Sequence, residues 1–395
     1  MNQLTEVMEC KVLIVGGGPA GLSVASHLAD DISSIIVHQD AEIGKPVRTS
    51  GGTWVSDMVK LGIPEELYQV VDKLDFYSDS EKASFTPEHD RMAVLDVTAL
   101  YRYLAELSDK KNRRLMTGAK FTATKQLQDG RYSSAIRSHG DITVISEYII
   151  DASGWHCSVL ESLGLAKKPD RIGVGIEYEF PIGDFDPHRA ILFVGEAALT
   201  GYGWIFPTPD QQLRLGVGVI SPDTNLSPKQ VMDAFIKEGY AARFGIEIPE
   251  SYIVNAGIIP SVAYDDKLLY GNVIRTGDSA NFASPTVGEG IRMAISFGRL
   301  LGSELSKKIH GDKQALKRYQ TLCTKEFKWD YKFGFMMNQR IAQYSSERWD
   351  KLIKRLSRLN EQEMTQWVRS RFGWKMILRT IRSTLAEKIR GLINK

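Results

Sequence analysis

The hydrophobic pattern of the first forty residues predicts a strand, a turn, a helix and a second strand. Residues 11–15 are almost all apolar, as expected of a parallel strand buried on both faces. A glycine-rich turn at 16–18 follows, then a helical pattern over 19–29 and a strand over 34–38. These elements, within about 28 residues, predict one right-handed βαβ unit.

The turn of this unit fits the pattern G-x-G-x-x-G. Gly16 allows a tight turn, Gly18 lets the backbone approach a pyrophosphate, and Gly21 lets the helix pack closely on the strand. With Pro19 and Ala20 completing the loop, free N–H groups and the helix dipole favour negative charge at the helix start. The sequence therefore predicts a dinucleotide site.

The acidic residue that usually follows the second strand and binds ribose hydroxyls is displaced in this chain. The strand ends in His38, Gln39 and Asp40, with His38 or Gln39 at the expected position. Because a neutral amide also bonds hydroxyl groups, Gln39 is the predicted ribose contact.

Later segments alternate between helical and strand-like periodicity. Helical spacing recurs over 96–110 and 289–308, an apolar strand is predicted over 272–276, and short β runs separated by Gly and Pro fill 171–219. The sequence predicts a mixed α/β (α+β) fold: a Rossmann-like cofactor domain, an inserted antiparallel β-sheet domain for the substrate, and a helical C-terminal region.

This order of elements sets the expected domain boundaries. The cofactor domain is discontinuous, with residues 1–165 and 260–305 together, and a segment near 50–95 faces the substrate domain. The β-rich substrate domain spans 166–259, and the helical, basic region spans 306–395.

A second glycine motif completes the predicted cofactor site. Asp278 directly follows the predicted strand and places a carboxylate against ribityl hydroxyls. A helix that begins near Gly288, Gly290 and Ile291 directs its N-terminal dipole at a flavin ring. The alternative is an Asp N-cap beside a structural glycine loop. Together with the first loop, the motif indicates FAD.

Three aromatic residues alternate in one predicted strand. Tyr202, Trp204 and Phe206 fall on one face of a strand that Pro207 ends. They either pack in the core or form the wall of a long apolar pocket beside the flavin, where they would contact the substrate.

Composition and charge narrow the partners. The chain of 395 residues is 43% hydrophobic and 25% charged, which is ordinary for a protein with a packed core. The net charge of +2 gives no indication of nucleic-acid binding, although residues 311–395 hold 20 Lys/Arg against 8 Asp/Glu. Cys10, Cys157 and Cys323 are widely spaced, which implies no disulfide framework or metal site and favours a reducing, cytoplasmic compartment. No long apolar run predicts a membrane span.

Residues 10–305 resemble the geranylgeranyl reductase family of FAD-dependent oxidoreductases, within the para-hydroxybenzoate hydroxylase-like flavoproteins. The resemblance rests on the glycine loop, Ile-Gly-Lys-Pro-Val-Arg at 43–48, Tyr-x-Trp-x-Phe-Pro at 202–207, and Gly-Asp through Gly-Glu-Gly-Ile at 277–291. It implies that FAD is the cofactor, with Arg48 among its contacts. It also implies that the enzyme saturates carbon–carbon double bonds of a polyprenyl lipid or related isoprenoid.

The chain departs from that family at two positions. Many members have Cys soon after the Lys-Pro segment, where this chain has Thr49 and Ser50, and Arg in place of Val97. These changes indicate a divergent branch, whose substrate can differ from the usual one.

The resemblance implies hydride transfer from reduced FAD to an alkene, with a proton added to the other carbon. By position Tyr202 is the candidate proton donor, and a bound water is another. An FAD-dependent monooxygenase of an aromatic or isoprenoid substrate and a non-catalytic, membrane-docked flavoprotein are the open alternatives. The electron donor is NADPH, ferredoxin or another carrier, because the sequence has no second glycine motif for NAD(P)H.

The tail suggests a location. Apolar residues within 374–393 form one helical stripe, and basic residues occupy other positions around the helix. Such a helix lies in an anionic membrane interface or packs its stripe against the core. Because a lipid substrate is drawn from a bilayer, peripheral membrane contact through this helix is the expectation.

Overall fold

The structure is a computed structural model, and it describes residues 6–371. The strands of this part, in chain order, are β1 (Glu6–Val15), β2 (Ser34–Val37), β3 (Gly52–Trp54), β4 (Tyr68–Val71), β5 (Lys73–Tyr77), β6 (Lys82–Phe85), β7 (Met92–Leu95), β8 (Arg113–Met116), β9 (Lys120–Gln126), β10 (Tyr132–Arg137), β11 (Asp141–Asp151), β12 (Ile172–Pro181), β13 (Arg189–Phe193), β14 (Tyr202–Pro207), β15 (Gln212–Ser221), β16 (Ile253–Pro260), β17 (Leu269–Tyr270) and β18 (Val273–Arg275). The α-helices are α1 (Pro19–His27), α2 (Val55–Lys60), α3 (Val97–Ser108), α4 (Ser158–Ser162), α5 (Pro228–Lys237), α6 (Tyr240–Arg243), α7 (Ile291–Ile309), α8 (Ala315–Ile341), α9 (Ser346–Leu356) and α10 (Glu361–Val368).

An eight-stranded sheet forms the cofactor side of the molecule, with the path β17-β18-β11-β1-β2-β8 and the antiparallel strands β10 and β9 beside β11. β1 pairs in parallel with β2 and β11, and β11 pairs in parallel with β18. One face of this sheet packs against α1, α7 and α8, which bury a continuous apolar cluster. β1, which lies between β11 and β2 in this sheet, ends at Val15, directly before the glycine loop.

β1 is longer than the predicted strand over 11–15. Its first half alternates Glu6 and Glu9 with apolar residues and is exposed or partly exposed. It is held by backbone pairing from Glu6 opposite Ile142 to Cys10 opposite Ser146. Because the prediction followed apolar residues only, it found the buried half and missed the half that pairing stabilises.

A seven-stranded sheet, with the order β16-β12-β15-β14-β13-β5-β6, forms the side that is predicted to hold the substrate. The antiparallel β runs expected over 171–219 are present as β12 to β15, and β5 joins them by pairing in parallel with β13. Two strands of this sheet thus come from the segment near 50–95. The domain boundaries given above stay a prediction.

The two faces of this second sheet differ. The back face packs side chains such as Ile205 and Val217 against Phe235 of α5. The front face carries Trp204 and Phe206, which pack with residues of α9 and α10. The region after residue 306 is helical as far as it is described, and the predicted helix over 374–393 lies outside the described residues.

Candidate cofactor and substrate site

The first glycine loop has the geometry that its sequence predicts. Gly16 has φ +118°, and a Cβ atom added there would overlap the carbonyl oxygen of Ala152. A Cβ atom at Gly21 would overlap the carbonyl oxygen of Gly16. Neither position accepts a larger residue, since one needs a left-handed backbone and both lack space.

Gly18 differs from its neighbours because a Cβ atom there would meet nothing within 4 Å. It is the N-cap of α1, which begins at Pro19, has no side-chain cap and has no acidic residue in its first turn. The helix start is therefore an uncapped, positively polarised end that faces open space, and a pyrophosphate fits this cradle. Ala20 belongs to the same first turn.

The second glycine motif lies beside the first loop, although about 260 residues separate the two motifs in the sequence. A Cβ atom at Gly277, which has φ +64°, would lie 2.8 Å from Cβ of Ala20. The next residue, Asp278, is half-buried in the short 3-10 turn that Gly277 begins, and burial raises the pKa of its carboxyl group to about 6. Hydroxyl groups of a ribityl chain would supply donors to this carboxylate.

The loop after Asp278 leads to the start of α7. Gly288 has φ +72°, Gly290 is the N-cap and Ile291 is the first helical residue. Oδ1 of Asp278 lies 3.3 Å from a Cβ atom added at Gly290. The predicted cofactor residues Gly288, Gly290 and Ile291 are thus brought together with Asp278, as the sequence motif suggests.

Two other predicted cofactor contacts lie at the end of β2. Arg48 makes two hydrogen bonds to the carboxylate of Asp40, with N–O distances of 2.7 and 3.0 Å, and it also borders the cavity described below. Gln39 is exposed. The acid that sequence analysis found displaced is therefore engaged by Arg48, and the role of Gln39 at the ribose stays a prediction.

A large cavity lies between the second sheet, the Gly288–Ile291 turn and the C-terminal helices. Its space is about 1820 Å³, including the part open to solvent. Tyr202, Trp204 and Phe206 lie on one face of β14, as the alternation predicted, and all three line the cavity. Ile205 between them points to the other face of the sheet. Most of the remaining lining is aliphatic or aromatic, so the cavity suits an apolar ligand.

Trp204 lies flat on a floor of glycines. A Cβ atom at Gly216 would overlap its indole ring, and one at Gly175 would lie 3.2 Å from its Cη2 atom. Gly216 is opposite Trp204 on the adjacent strand. Alternating glycines in β12 and β15 therefore create the space that the indole occupies.

Tyr202 lies at the end of the cavity nearest the cofactor turn. Its hydroxyl donates a hydrogen bond of 2.5 Å to the carbonyl oxygen of Val287. Burial, together with the charge of Glu289, raises the pKa of this phenol to about 12. The phenol is therefore neutral at physiological pH, and its hydrogen is already donated to the carbonyl oxygen of Val287.

Sequence analysis missed that the C-terminal helices close the cavity. Trp349 and Ile353 of α9 and Trp367 and Val368 of α10 line it. Arg369, at the C-terminal end of α10, forms ion pairs with Asp57 and Asp90, and its guanidinium group lies over the ring of Trp54. These contacts hold α10 against the rest of the protein. The amphipathic spacing of α9 was the available signal, but it does not say which surface the helix covers.

Sequence analysis also missed a buried polar cluster in the cavity floor. Glu177, Glu179, Arg214 and Asn255 come from three adjacent strands and are connected by hydrogen bonds and ion pairs. The signal was weak, because scattered polar positions in otherwise apolar strands do not show which side chains the pairing of the strands brings together.

Comparison with known proteins agrees with this site. The family described as FAD binding domain matches residues 9–328. The chain therefore belongs to this family of FAD-binding proteins. It is an FAD-dependent oxidoreductase.

Among curated proteins, the chain is similar to digeranylgeranylglycerophospholipid reductase 1 of Methanothermobacter thermautotrophicus, with 25% identity over 81% of this chain and 83% of the relative. A solved geranylgeranyl bacteriochlorophyll reductase-like protein from Thermoplasma acidophilum superimposes with a TM-score of 0.82 at 20% identity, over 98% of this chain and 99% of that one. The p-nitrophenol 4-monooxygenase of Pseudomonas putida gives a TM-score of 0.68 at 15% identity, over 92% and 97%. At these identities the structural matches show the shared fold.

Proposed function

We propose that this protein uses FAD to reduce carbon–carbon double bonds in a polyprenyl lipid or a related isoprenoid. The observation that carries the proposal is the large, mainly apolar cavity, whose lining includes Tyr202, Trp204 and Phe206 and the Gly288–Ile291 turn. The curated relative named above is a lipid reductase, which supports the same reaction class.

The residues around the two glycine motifs fit the cofactor. The start of α1 at Gly18 and Pro19 would hold the pyrophosphate, Asp278 the ribityl chain, and the start of α7 the flavin ring. When bound and reduced, FAD supplies a hydride. The protein's own part is to bury the alkene, exclude water, orient it and provide a proton.

A monooxygenase of the same fold is the second candidate function. Hydroxylation of a small aromatic compound requires a compact pocket with polar groups that orient the ring. The lining of the cavity is instead mainly apolar, which favours a prenyl chain. The non-catalytic alternative has no separate observation in its favour.

The two candidates differ in their use of oxygen. The holoenzyme is reduced with dithionite under anaerobic conditions and mixed with geranylgeranyl phosphate or a geranylgeranylated glycerophospholipid. We expect the flavin to be reoxidised and the product to gain two hydrogens for each double bond, as seen by mass spectrometry. Reoxidation only after oxygen is admitted, with an oxygenated product, would reject the reductase. Supplying NADPH or reduced ferredoxin in place of dithionite identifies the electron donor.

Peripheral membrane contact is part of the same proposal. In the described residues no helix is both long enough and apolar enough to cross a bilayer. α8, however, exposes Leu322, Trp329 and Met336, which are spaced seven residues apart and so share one face; Trp329 is 74% exposed. This α8 apolar stripe is flanked by Lys325 and Lys332, which are exposed and suit an anionic lipid surface.

The basic tail leaves the described structure beside this helix. Arg371 pairs with Glu326 and Asp330 on α8, and residues 372–395 contain six Lys/Arg and one Glu. Because the tail and the flanks of the stripe are both basic, an anionic membrane would attract them together.

Vesicle flotation tests this contact in the full-length protein. With phosphatidylglycerol vesicles we expect Trp329→Ser combined with Met336→Ser to reduce the floated fraction severalfold. Val59→Ser, at another exposed apolar residue, is the matched control and should float like the wild type. Arg379→Gln combined with Arg382→Gln tests the tail separately. Equal flotation of all variants would reject the membrane contact of both elements.

A further inference from the structure

One carboxyl group of the buried polar cluster, that of Glu177, has not yet been given a chemical role. Glu177 lines the cavity and is only 3% exposed. Strand register places it in a row that crosses four strands, from Asn255 through Glu177 and Gly216 to Trp204. Because Gly216 has no side chain, Glu177 reaches the indole edge of Trp204 across it.

The hydrogen bonds of Glu177 hold it at this edge. Nε1 of Trp204 donates to Oε2 at 3.0 Å, and Nδ2 of Asn255 donates to Oε1 at 3.2 Å. These donors fix the carboxyl group against the same aromatic wall that a substrate in the cavity would contact.

The charges around Glu177 do not balance. Arg214 is the cation of the cluster, and its Nε lies 2.7 Å from Oε2 of Glu179 but 3.7 Å from Oε1 of Glu177. The nearer carboxylate takes the stronger ion pair, so two buried carboxyl groups share one cation. Keeping one proton in the cluster avoids a net buried negative charge.

The titration of Glu177 agrees with this arrangement. Burial raises its pKa to about 7; the charge of Arg214 and the hydrogen bonds from Trp204 and Asn255 lower it, and the charge of Glu179 raises it. At neutral pH a substantial fraction of the group therefore carries a proton. An acid of this kind is well matched to proton transfer near pH 7.

We infer that Glu177 is the proton donor for double-bond reduction, in place of Tyr202. The phenol of Tyr202 is the weaker acid, and its hydroxyl hydrogen is directed to the carbonyl oxygen of Val287. Glu177 lines the same cavity and is placed among donors that stabilise the carboxylate left after transfer.

This inference rests on the proposed reductase function. One alkene carbon receives a hydride, the chemistry that bound reduced FAD supplies, and the other receives the proton of the Glu177 carboxylic acid. The π bond is lost and two C–H bonds form. The Glu177 carboxylate then regains a proton from solvent before the next turnover, and the cofactor is reduced again by its electron donor.

The test compares Glu177→Gln with Glu179→Gln in the holoenzyme. Gln at 177 keeps the size and an oxygen that accepts from Trp204, but it carries no acidic proton. We expect turnover to fall at least about a hundredfold, the usual minimum for a lost general acid, with FAD content and the fold unchanged.

The pH profile separates an acid from a structural residue. An acid catalyst works only when protonated, so wild-type turnover should fall as pH rises through about 7. Glu177→Gln should lose this descending limb. Glu179→Gln should keep the limb and shift it to lower pH, because the Glu179 charge raises the pKa of Glu177.

A second readout does not depend on turnover. Infrared difference spectra between the wild type and Glu177→Gln isolate the carboxyl band of Glu177 from those of other acids such as Asp278. This difference should show a protonated carboxyl band at pH 6 that weakens by pH 8. A wild type that reoxidises its flavin with a prenyl substrate, beside a Glu177→Gln variant with unchanged rate and pH profile, would reject the inference alone. A wild type inactive on every prenyl substrate would reject the reductase function and the proton donor with it.

Discussion

Two glycines, one on each side of this molecule, have opposite surroundings. On the cofactor side, Gly18 faces open space at the start of α1. On the substrate side, Gly216 lies under the indole ring of Trp204, and a Cβ atom at Gly257 would overlap the backbone of Arg48. The first space suits a ligand, whereas the second is filled by the protein's own atoms.

Because of this difference, replacing glycine by alanine should have one of two consequences, depending on what surrounds the glycine. Where a glycine faces ligand space, substitution should weaken binding and leave the apo-protein folded. Where a glycine lies against another part of the chain, substitution should destabilise the fold or displace a side chain of the cavity. Gly16→Ala, Gly216→Ala and Gly18→Ala test this contrast, with Gly218→Ala as a control, and Asp278→Asn tests the cofactor side in another way. They follow from the largest expected effect to the smallest, with the control beside its variant.

Gly16→Ala should have the largest effect. The added methyl group overlaps the carbonyl oxygen of Ala152, and φ +118° is strained for alanine. We expect the free energy of unfolding to fall by about 4 kcal/mol, the sum of the strain and the overpacking. Urea denaturation of the apo-protein measures this; a loss under about 1 kcal/mol would show that the loop relaxes easily.

The sequence predicted the cofactor side more completely than the substrate side. The residues from Gly16 to Gly21 lie in one short loop, so their spacing carries the geometry. The cluster of Glu177, Arg214 and Asn255 depends on the register of three strands, which no short pattern encodes. Likewise, the apolar stripe of α9 indicated burial but could not indicate the cavity that it covers.

Gly216→Ala should have the next largest effect. Its methyl group overlaps the indole ring of Trp204, which must then leave its floor and its hydrogen bond to Glu177. We expect a loss of about 2 kcal/mol in unfolding free energy, with FAD still bound and turnover reduced.

Gly218→Ala is the matched control for that change. It lies two residues along the same strand, and its methyl group would have ordinary contacts, the nearest at 3.5 Å from Trp204. We expect its stability to stay within about 1 kcal/mol of the wild type. Equal losses for both variants would show that the strand, and not the position of the indole, determines the cost.

Asp278→Asn should change the pH dependence of stability. The pKa of Asp278 is raised to about 6 in the folded protein, whereas an unfolded Asp titrates near 3.9. The folded apo-protein thus binds more protons between these values, and its stability should fall as pH rises from about 4 to about 6. Because the carboxyl group is only half-buried, this loss is about 1–2 kcal/mol.

The measurement is urea denaturation of the apo-protein at several pH values. Asn does not titrate there, so Asp278→Asn should lack this fall and be more stable than the wild type at pH 7.5. It should also bind FAD more weakly, since the ribityl hydroxyls lose a charged acceptor. A variant with the same pH dependence as the wild type would show that another group is responsible.

Gly18→Ala should have the smallest effect on the fold and a specific effect on the cofactor. The backbone at Gly18 has φ −87° and ψ −175°, which any residue adopts, and its methyl group would meet no protein atom within 4 Å. Alanine is a poorer N-cap than glycine, so the apo-protein should lose only about 0.5 kcal/mol. The methyl group would, however, occupy the space predicted for the pyrophosphate.

We expect the affinity of Gly18→Ala for FAD to fall at least about tenfold, or about 1.4 kcal/mol, in a fluorescence titration of the apo-protein. Unchanged affinity would place the pyrophosphate away from Gly18, and the open space at the helix start would then need another explanation.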